Sequence, residues 1–218
     1  MRAVSLIVIT DAGLARPRTV LEVVRAAVDA GAPAFQLRDK GAEAREMAEA
    51  ARALLEVTRP AGALLMVNDR LDVALAVGAD GVHLGPDDIP VAEARAVVRE
   101  AQARHDVPST FIVGTSTDDP HEARRLVADG ADYIGCGTVY PTTSKANAGA
   151  VIGLDGLRRV VAAVDVPVFG IGGVSEARSE EIARETGAAG IAVIGAVMSA
   201  PDPGAAVRAL MRPWLRRA

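Results

Sequence analysis

The stretch Val73–Asp88, VALAVGADGVHLGPDD, reads as the joint between a helix and a strand, with polar chemistry gathered at the strand's far end. An amphipathic segment, Arg70–Val77, runs into Gly78-Ala79, and glycine at that place ends a helix in the left-handed conformation. The apolar run Gly81–Leu84 then has the length of a strand covered on both faces. His83 stands near its end, and Asp87 and Asp88 stand beyond it. The same joint recurs at Gly31-Ala32, Gly130-Ala131 and Gly187-Ala188, so that by strand count these turns enter strands two, four, six and eight.

Working outward, strands are expected at Val4–Ile9, Ala34–Leu37, Leu64–Val67, Gly81–Leu84, Phe111–Val113, Tyr133–Gly135, Val168–Gly170 and Gly190–Val193. Helices are expected at Thr19–Ala30, Ala42–Val57, Arg70–Val77, Val91–Arg104, His121–Ala128, Leu154–Val164 and Ser175–Glu185, with a last one over Gly195–Leu210 broken near Pro201 and Pro203. Eight strand–helix pairs are the count of a closed (β/α)8 TIM barrel, an α/β fold, whereas a doubly wound open sheet rarely needs eight such regular units. No linker or low-complexity tract interrupts the series, so residues 1–218 are expected to form one barrel domain. Half of the residues are apolar and only 3% aromatic, which calls for a core of Val, Ile, Leu and Ala.

A formal net charge of −4 argues against a general nucleic-acid or membrane surface, so any anion site must be local. No long apolar span and no targeting signal are legible, which makes the cytoplasm the default compartment. Cys136, the one cysteine, excludes an intramolecular disulfide framework and a cysteine zinc cluster, and is expected to be a buried structural thiol. Of 24 basic residues only Lys40 and Lys145 are lysine. An ammonium is a compact point charge suited to phosphate, and both lysines sit in polar clusters at the ends of apolar runs.

A barrel keeps its chemistry at the carboxyl ends of the strands. There the sequence sets Gln36, Arg38, Asp39 and Lys40 at the end of strand two, and Asn68, Asp69 and Arg70 after strand three. Thr115, Ser116 and Thr117 follow strand five, and Thr142, Ser144 and Lys145 follow strand six. Gly172-Gly173 and Gly195, after strands seven and eight, suit a phosphate held by backbone N–H groups, with Ser175 capping the next helix. Asp69 and Asp88 could share a Mg2+ that takes its remaining ligands from phosphate and water, or could cap the helices that follow them, and Asp87 rivals Asp88 as a ligand. Arg38, Lys40 and Lys145 beside such a metal describe a site for more than one phosphate, with hydroxyls of Ser116, Thr142 and Ser144 as further donors. No nucleophile–histidine–acid constellation is evident. His83 reads as an oriented structural histidine, and His105 and His121 as helix-surface residues. Such a site stabilises a departing pyrophosphate electrostatically.

Over nearly its whole length the chain resembles the thiamine phosphate synthase family. The resemblance rests on Gln36–Lys40, Val67–Asp69, Gly81–Asp88, Gly114–Ser116, Asp132-Tyr133 through Pro141–Lys145, Gly172-Gly173 and Ile194-Gly195 in that order. It implies joining a hydroxymethylpyrimidine diphosphate to a thiazole phosphate, with the pyrimidine diphosphate ionising first. By motif it implies that Gln36, Arg38, Lys40, Asn68, Ser116 and Lys145 hold the pyrimidine diphosphate, with Lys40, Lys145, Arg38 and Ser116 acting in catalysis. It also implies that Asp69 and Asp88 bind Mg2+, and that Thr142, Ser144, Gly173, Ile194 and Gly195 hold the thiazole phosphate. Departures are Ser144 for a usual threonine, Gly195 for a usual serine and Pro86 for a usual glutamine. Small-molecule substrates follow, and barrels of this family are often homodimers.

Three rival readings stand beside this one. A thiazole tautomerase of the same fold relies on a histidine shortly after the Gly-x-Ser turn, where this chain has Asp118. A Schiff-base aldolase would use Lys145, yet such a lysine usually points from a strand, not a loop. A thiamine-phosphate binding protein would have no use for the carboxylate pair. Residues Cys136–Leu154 form a candidate lid.

Overall fold

The computed structural model describes residues 4–144 and 149–216. Among the described residues eight parallel strands close on themselves in sequence order. They are β1 (Leu6–Ile9), β2 (Ala34–Leu37), β3 (Leu64–Asn68), β4 (Gly81–Leu84), β5 (Ile112–Ser116), β6 (Tyr133–Cys136), β7 (Val168–Ile171) and β8 (Gly190–Val193). Every residue of β1, β2, β6 and β8 is buried, as expected of strands packed between a filled barrel interior and an outer ring of helices.

The ring comprises α1 (Ala12–Ala15), α2 (Val20–Asp29), α3 (Ala44–Thr58), α4 (Leu71–Val77), α5 (Val91–Ala103), α6 (Pro120–Ala128), α7 (Gly153–Val161), α8 (Glu176–Glu185), α9 (Gly195–Met198) and α10 (Pro203–Leu215). Their starts are written in short polar side chains. Thr19 and Glu22 form a reciprocal capping box, and Asp119, Ser175 and Asp202 each accept from a first-turn N–H. Each such cap is worth about 1 kcal/mol. The four Gly-Ala turns all carry the glycine at positive φ, between 66° and 109°.

The expected order of elements is observed, with differences at the edges. β1 begins at Leu6 instead of Val4, while β3 and β5 extend to Asn68 and Ser116, because the hydrogen-bond ladder continues past the last apolar residue. The terminal helix divides into α9 and α10, and Pro213 lies inside α10. α10 is fastened to α8 by Trp214 Nε1 donating to Ser179 Oγ at 2.9 Å, and by that hydroxyl donating to the Leu210 carbonyl at 2.8 Å. His105 is not a helix-surface residue. It lies just past α5 at φ 64°, in the left-handed position that other helices here give to glycine.

Cys136 is buried, and burial, with Asp118 adding to it, pushes its thiol up to about 12 from an ordinary 9.0. Since the thiolate is the reactive form, the folded protein is expected to resist alkylation at pH 8 and to react at once when unfolded. Because the folded value is raised, the neutral thiol's contribution to stability is intact below pH 9.0 and lost as pH rises through 12. Rapid labelling of the folded chain at pH 8 would contradict this.

Candidate active site

On one side of the barrel mouth, β2 and β3 bring two buried amides together. Gln36 Nε2 donates to Asn68 Oδ1 at 2.7 Å, and the two residues are 3% and 7% exposed. Leaving either buried amide unpaired would cost about 1–3 kcal/mol, so each fixes the other. Beyond Gln36 the chain is tied to the residue that follows β1, as Arg38 N–H donates to Thr10 Oγ1 at 2.9 Å. Lys40 is more exposed, with Nζ 3.5 Å from Asp69 Oδ2.

Asp69 is the centre of a tight three-residue turn. Its φ is 65°, the Arg70 N–H donates to the Asn68 carbonyl at 2.8 Å, and its own N–H donates to the His83 carbonyl at 2.8 Å. A non-glycine residue in that region is strained, and such strain collects at functional sites. Burial first, then Asp88 beside it, hold the Asp69 carboxyl above its ordinary range, while Lys40 pulls it down. Asp88 Oδ2 accepts from the Gly85 N–H at 2.6 Å, and Asp87 is exposed. Neither carboxylate caps a helix: the N-cap positions of α4 and α5 are Arg70 and Pro90, and neither makes a side-chain cap bond. Two adjacent carboxylates of which one is partly desolvated fit a hard divalent cation that draws its other ligands from phosphate and water. Among the described residues no group of three acidic, histidine or cysteine ligands occurs.

Ser116 ends β5 and is held by His83 from β4. His83 Nε2 lies 2.8 Å from Ser116 Oγ and Nδ1 lies 2.8 Å from the Tyr133 hydroxyl, whose ionisation burial opposes. His83, Gly114 and Tyr133 stand in register across β4, β5 and β6. Gly114 in the middle has no side chain, and that gap is what Tyr133 crosses to reach the imidazole: a Cβ on Gly114 would lie 2.0 Å from the ring. The histidine is thus an oriented one, as expected, and what it orients is Ser116. The neighbouring hydroxyls turn elsewhere, Thr115 to the Leu84 carbonyl and Thr117 to Glu122.

On the other side, the ends of β6, β7 and β8 enclose a cavity of about 160 Å³ whose lining includes Ser116, Thr142, Ser144, Gly173, Ile194 and Gly195. Five of these are the residues expected at the thiazole phosphate, and Ser116 joins that half of the mouth to the other. Gly173 has φ 62°, and a Cβ there would lie 2.4 Å from the Pro141 carbonyl, so only glycine fits beneath the loop after β6. At Gly195 a Cβ would come 2.8 Å from Ser144 Oγ, so the missing side chain leaves room for that hydroxyl. Lys145 lies outside the described residues.

The sequence reading missed the support behind these residues. Tyr133 enters it only as part of a resemblance motif, and neither Tyr140 nor Arg178 is given a role. Tyr133 reaches His83 through strand register, Arg178 reaches the Gly173 carbonyl from α8, and Tyr140 is bonded to Glu181. No helix among the described residues is long and apolar enough to cross a membrane.

Carboxylates and cations on one side of the mouth, with a glycine-lined hollow on the other, make this a barrel enzyme that handles phosphorylated small molecules. The profile of the thiamine monophosphate synthase family matches residues 6–197. Thiamine-phosphate synthase from Chloroflexus aurantiacus is 47% identical over 205 residues, which are 94% of this chain and 90% of that one. The thiamine-phosphate synthase of Moorella thermoacetica is 45% identical, covering 94% and 91%. The solved structure of thiamine phosphate pyrophosphorylase from Pyrococcus furiosus superposes with a TM-score of 0.85 at 41% identity, covering 99% of this chain and 97% of that one. The chain belongs to the thiamine monophosphate synthase family. A 3-hexulose-6-phosphate synthase at 20% identity and a TM-score of 0.70 shares the fold alone.

Proposed function

We propose that the barrel mouth works as two facing half-sites, with pyrimidine diphosphate held over β2–β5 and thiazole phosphate over β6–β8. The transfer itself, of a pyrimidine onto thiazole phosphate in thiamine biosynthesis with pyrophosphate released, is the reaction of this chain, a transferase. The observation that carries the arrangement is the Asp69–Asp88 pair beside Lys40, at the ends of strands other than those that enclose the glycine-lined cavity, with Ser116 lining that cavity and bonded to His83, whose carbonyl accepts from the Asp69 N–H.

The Gln36–Asn68 pair is bonded through one amide edge and so has an acceptor and a donor left to orient an aminopyrimidine. Asp69 and Asp88 would hold Mg2+, which would supply positive charge to neutralise the departing diphosphate. Arg38, Lys40 and Lys145 surround that same diphosphate with positive charge, and Ser116, steered by His83, donates toward it. No residue is required as a general base, since the aminopyrimidine itself supplies the electrons that expel pyrophosphate. Thr142, Ser144 and the backbone at Gly173, Ile194 and Gly195 hold the thiazole phosphate so that its ring nitrogen faces the pyrimidine cation, and closure over both excludes water. Backbone N–H groups on glycine turns suit this task because nothing keeps the anion at a distance.

The test is to supply both substrates with Mg2+ and follow pyrophosphate and thiamine phosphate. Equal amounts of the two products, stopped by chelation and nearly abolished in Asp88→Ala, are expected. Release of pyrophosphate unaffected by Asp88→Ala would refute the metal assignment, and borohydride trapping of substrate on Lys145 would favour the aldolase reading.

Lysine at positions 40 and 145, in a chain that otherwise uses arginine, gives a second expectation. Lys40→Arg or Lys145→Arg keeps the charge but replaces a compact ammonium with a planar fork. Each should lower turnover about tenfold or more, without shifting the melting temperature. Full activity in both would show that charge alone suffices.

A further inference from the structure

Arg178 lies on α8, outside the cavity, and turns back along the helix toward its start. Nη1 donates to the Gly173 carbonyl at 2.6 Å, and the guanidinium carbon sits 4.6 Å from the centre of the Tyr140 ring. One turn along the same helix, Glu181 accepts the Tyr140 hydroxyl's hydrogen bond. Tyr140 is therefore held twice by α8, through its face and through its hydroxyl. Its backbone is held as well: Val139 N–H donates to the Ile171 carbonyl at 2.8 Å and Tyr140 N–H to the Gly172 carbonyl at 3.1 Å. Residues 139–140 thus run as a short extra ladder along the Gly172-Gly173 turn, and Thr142 and Ser144 follow within four residues.

We infer that Arg178 is a positioning residue, which clamps the base of the loop after β6 onto the Gly172-Gly173 turn and so sets the spacing between the two walls of the thiazole-phosphate half-site. The inference rests on the half-site reading given above. One wall is the Gly173 backbone, the other the hydroxyls of Thr142 and Ser144, and the anion must touch both at hydrogen-bond distance. A planar guanidinium is suited to this task because it stacks on an aromatic face and donates in its own plane at the same time. An ammonium is a compact point charge with no planar face to lay on the ring.

The experiment compares Arg178→Met, Arg178→Lys, Tyr140→Leu and the Arg178→Met/Tyr140→Leu double variant with the wild type. It measures KM for each substrate, kcat at saturation and melting temperature. Arg178→Met should raise KM for thiazole phosphate about tenfold, with KM for the pyrimidine diphosphate and kcat within about twofold of wild type. Tyr140→Leu should do the same, and the double variant should be no worse than the more affected single one, because both changes open one clamp. Arg178→Lys should not rescue. Tyr140→Phe, which keeps the ring and loses only the hydroxyl, gives a milder rise and guards against an unfolded leucine variant. Unchanged KM for thiazole phosphate, a rise shared by both substrates in step with lost melting temperature, multiplicative effects in the double variant, or full rescue by lysine would each overturn the clamp. The wild-type reaction is the separate control: if it yields no thiamine phosphate, the half-site reading has failed, whatever Arg178 does.

Discussion

Asp69→Asn is expected to lower turnover about a thousandfold while leaving the barrel folded. Asparagine keeps the shape of the side chain and, unlike most residues, accepts the left-handed backbone that Asp69 adopts at φ 65°. What it removes is the negative charge that makes the Asp69–Asp88 pair a cation site. The same charge is unfavourable when no cation is present, because burial and Asp88 raise the Asp69 carboxyl above its ordinary 3.8. A raised folded-state value means that folding favours the protonated form more than the unfolded chain does. That contribution to stability is complete below pH 3.8 and is lost as pH rises through the raised value. At neutral pH without metal, the asparagine variant should therefore melt no lower than the wild type. Adding Mg2+ with pyrophosphate should raise the wild-type melting temperature and leave the variant where it was. A variant that melts well below wild type, or is stabilised equally by Mg2+ and pyrophosphate, would remove Asp69 from the metal site.

The largest effect on stability is expected at a glycine with an ordinary backbone. A Cβ on Gly114 would stand 2.0 Å from Tyr133 Cε1 and 2.1 Å from Cζ, and Gly114 lies in a strand paired on both sides. Neither strand can retreat without breaking its ladder, so the ring must leave its place. Its edge contact with Phe169, centroids 5.6 Å apart, goes with it, as does its bond to His83. Gly114→Ala should therefore cost at least about 3 kcal/mol. For a chain of this size that is a fall of about 10 °C in melting temperature. Tyr133→Leu in the same background should recover much of the loss, since it withdraws the atoms that collide, although alone it is destabilising. The two changes are coupled through one space, and a double-mutant cycle reads that coupling directly. Additive losses would mean that the ring and the missing Cβ do not compete. Activity should stay low even where stability returns, because His83 has then lost the partner that sets its ring above Ser116.

Most of the fold was legible because each strand is an apolar run bounded by a turn signal, and Gly78-Ala79 and its three counterparts punctuate the helices. The boundaries drifted where polarity and pairing disagree. Asn68 and Ser116 belong to strands by hydrogen bonding but carry the polar chemistry of the proposed site, so a reading by hydrophobicity ends the strand one residue before Asn68 and three before Ser116. His105 was misjudged because a left-handed histidine leaves no mark that a glycine would have left. At the site, the residues that touch substrate in the proposed arrangement were legible as local polar clusters. Those that hold them were not. Tyr133 is 50 residues from His83 and Tyr140 is 41 from Glu181, and each pair meets only when the barrel closes. The alternative cap roles weighed for Asp69 and Asp88 are not observed for a related reason: position before a helix suggests a cap, whereas the turn at Asp69 and the Gly85 N–H aim the carboxylates elsewhere.

The short ladder between residues 139–140 and the Gly172-Gly173 turn has a consequence for chimaeras. Two such enzymes exchanged at a crossover between β6 and β7 would take the loop from one parent and its seat from the other, along with a mismatched α8. A crossover after α8 would inherit loop, turn and helix as one heritable block. Libraries built by recombining barrel fragments should accordingly yield functional offspring far more often from the second breakpoint than from the first.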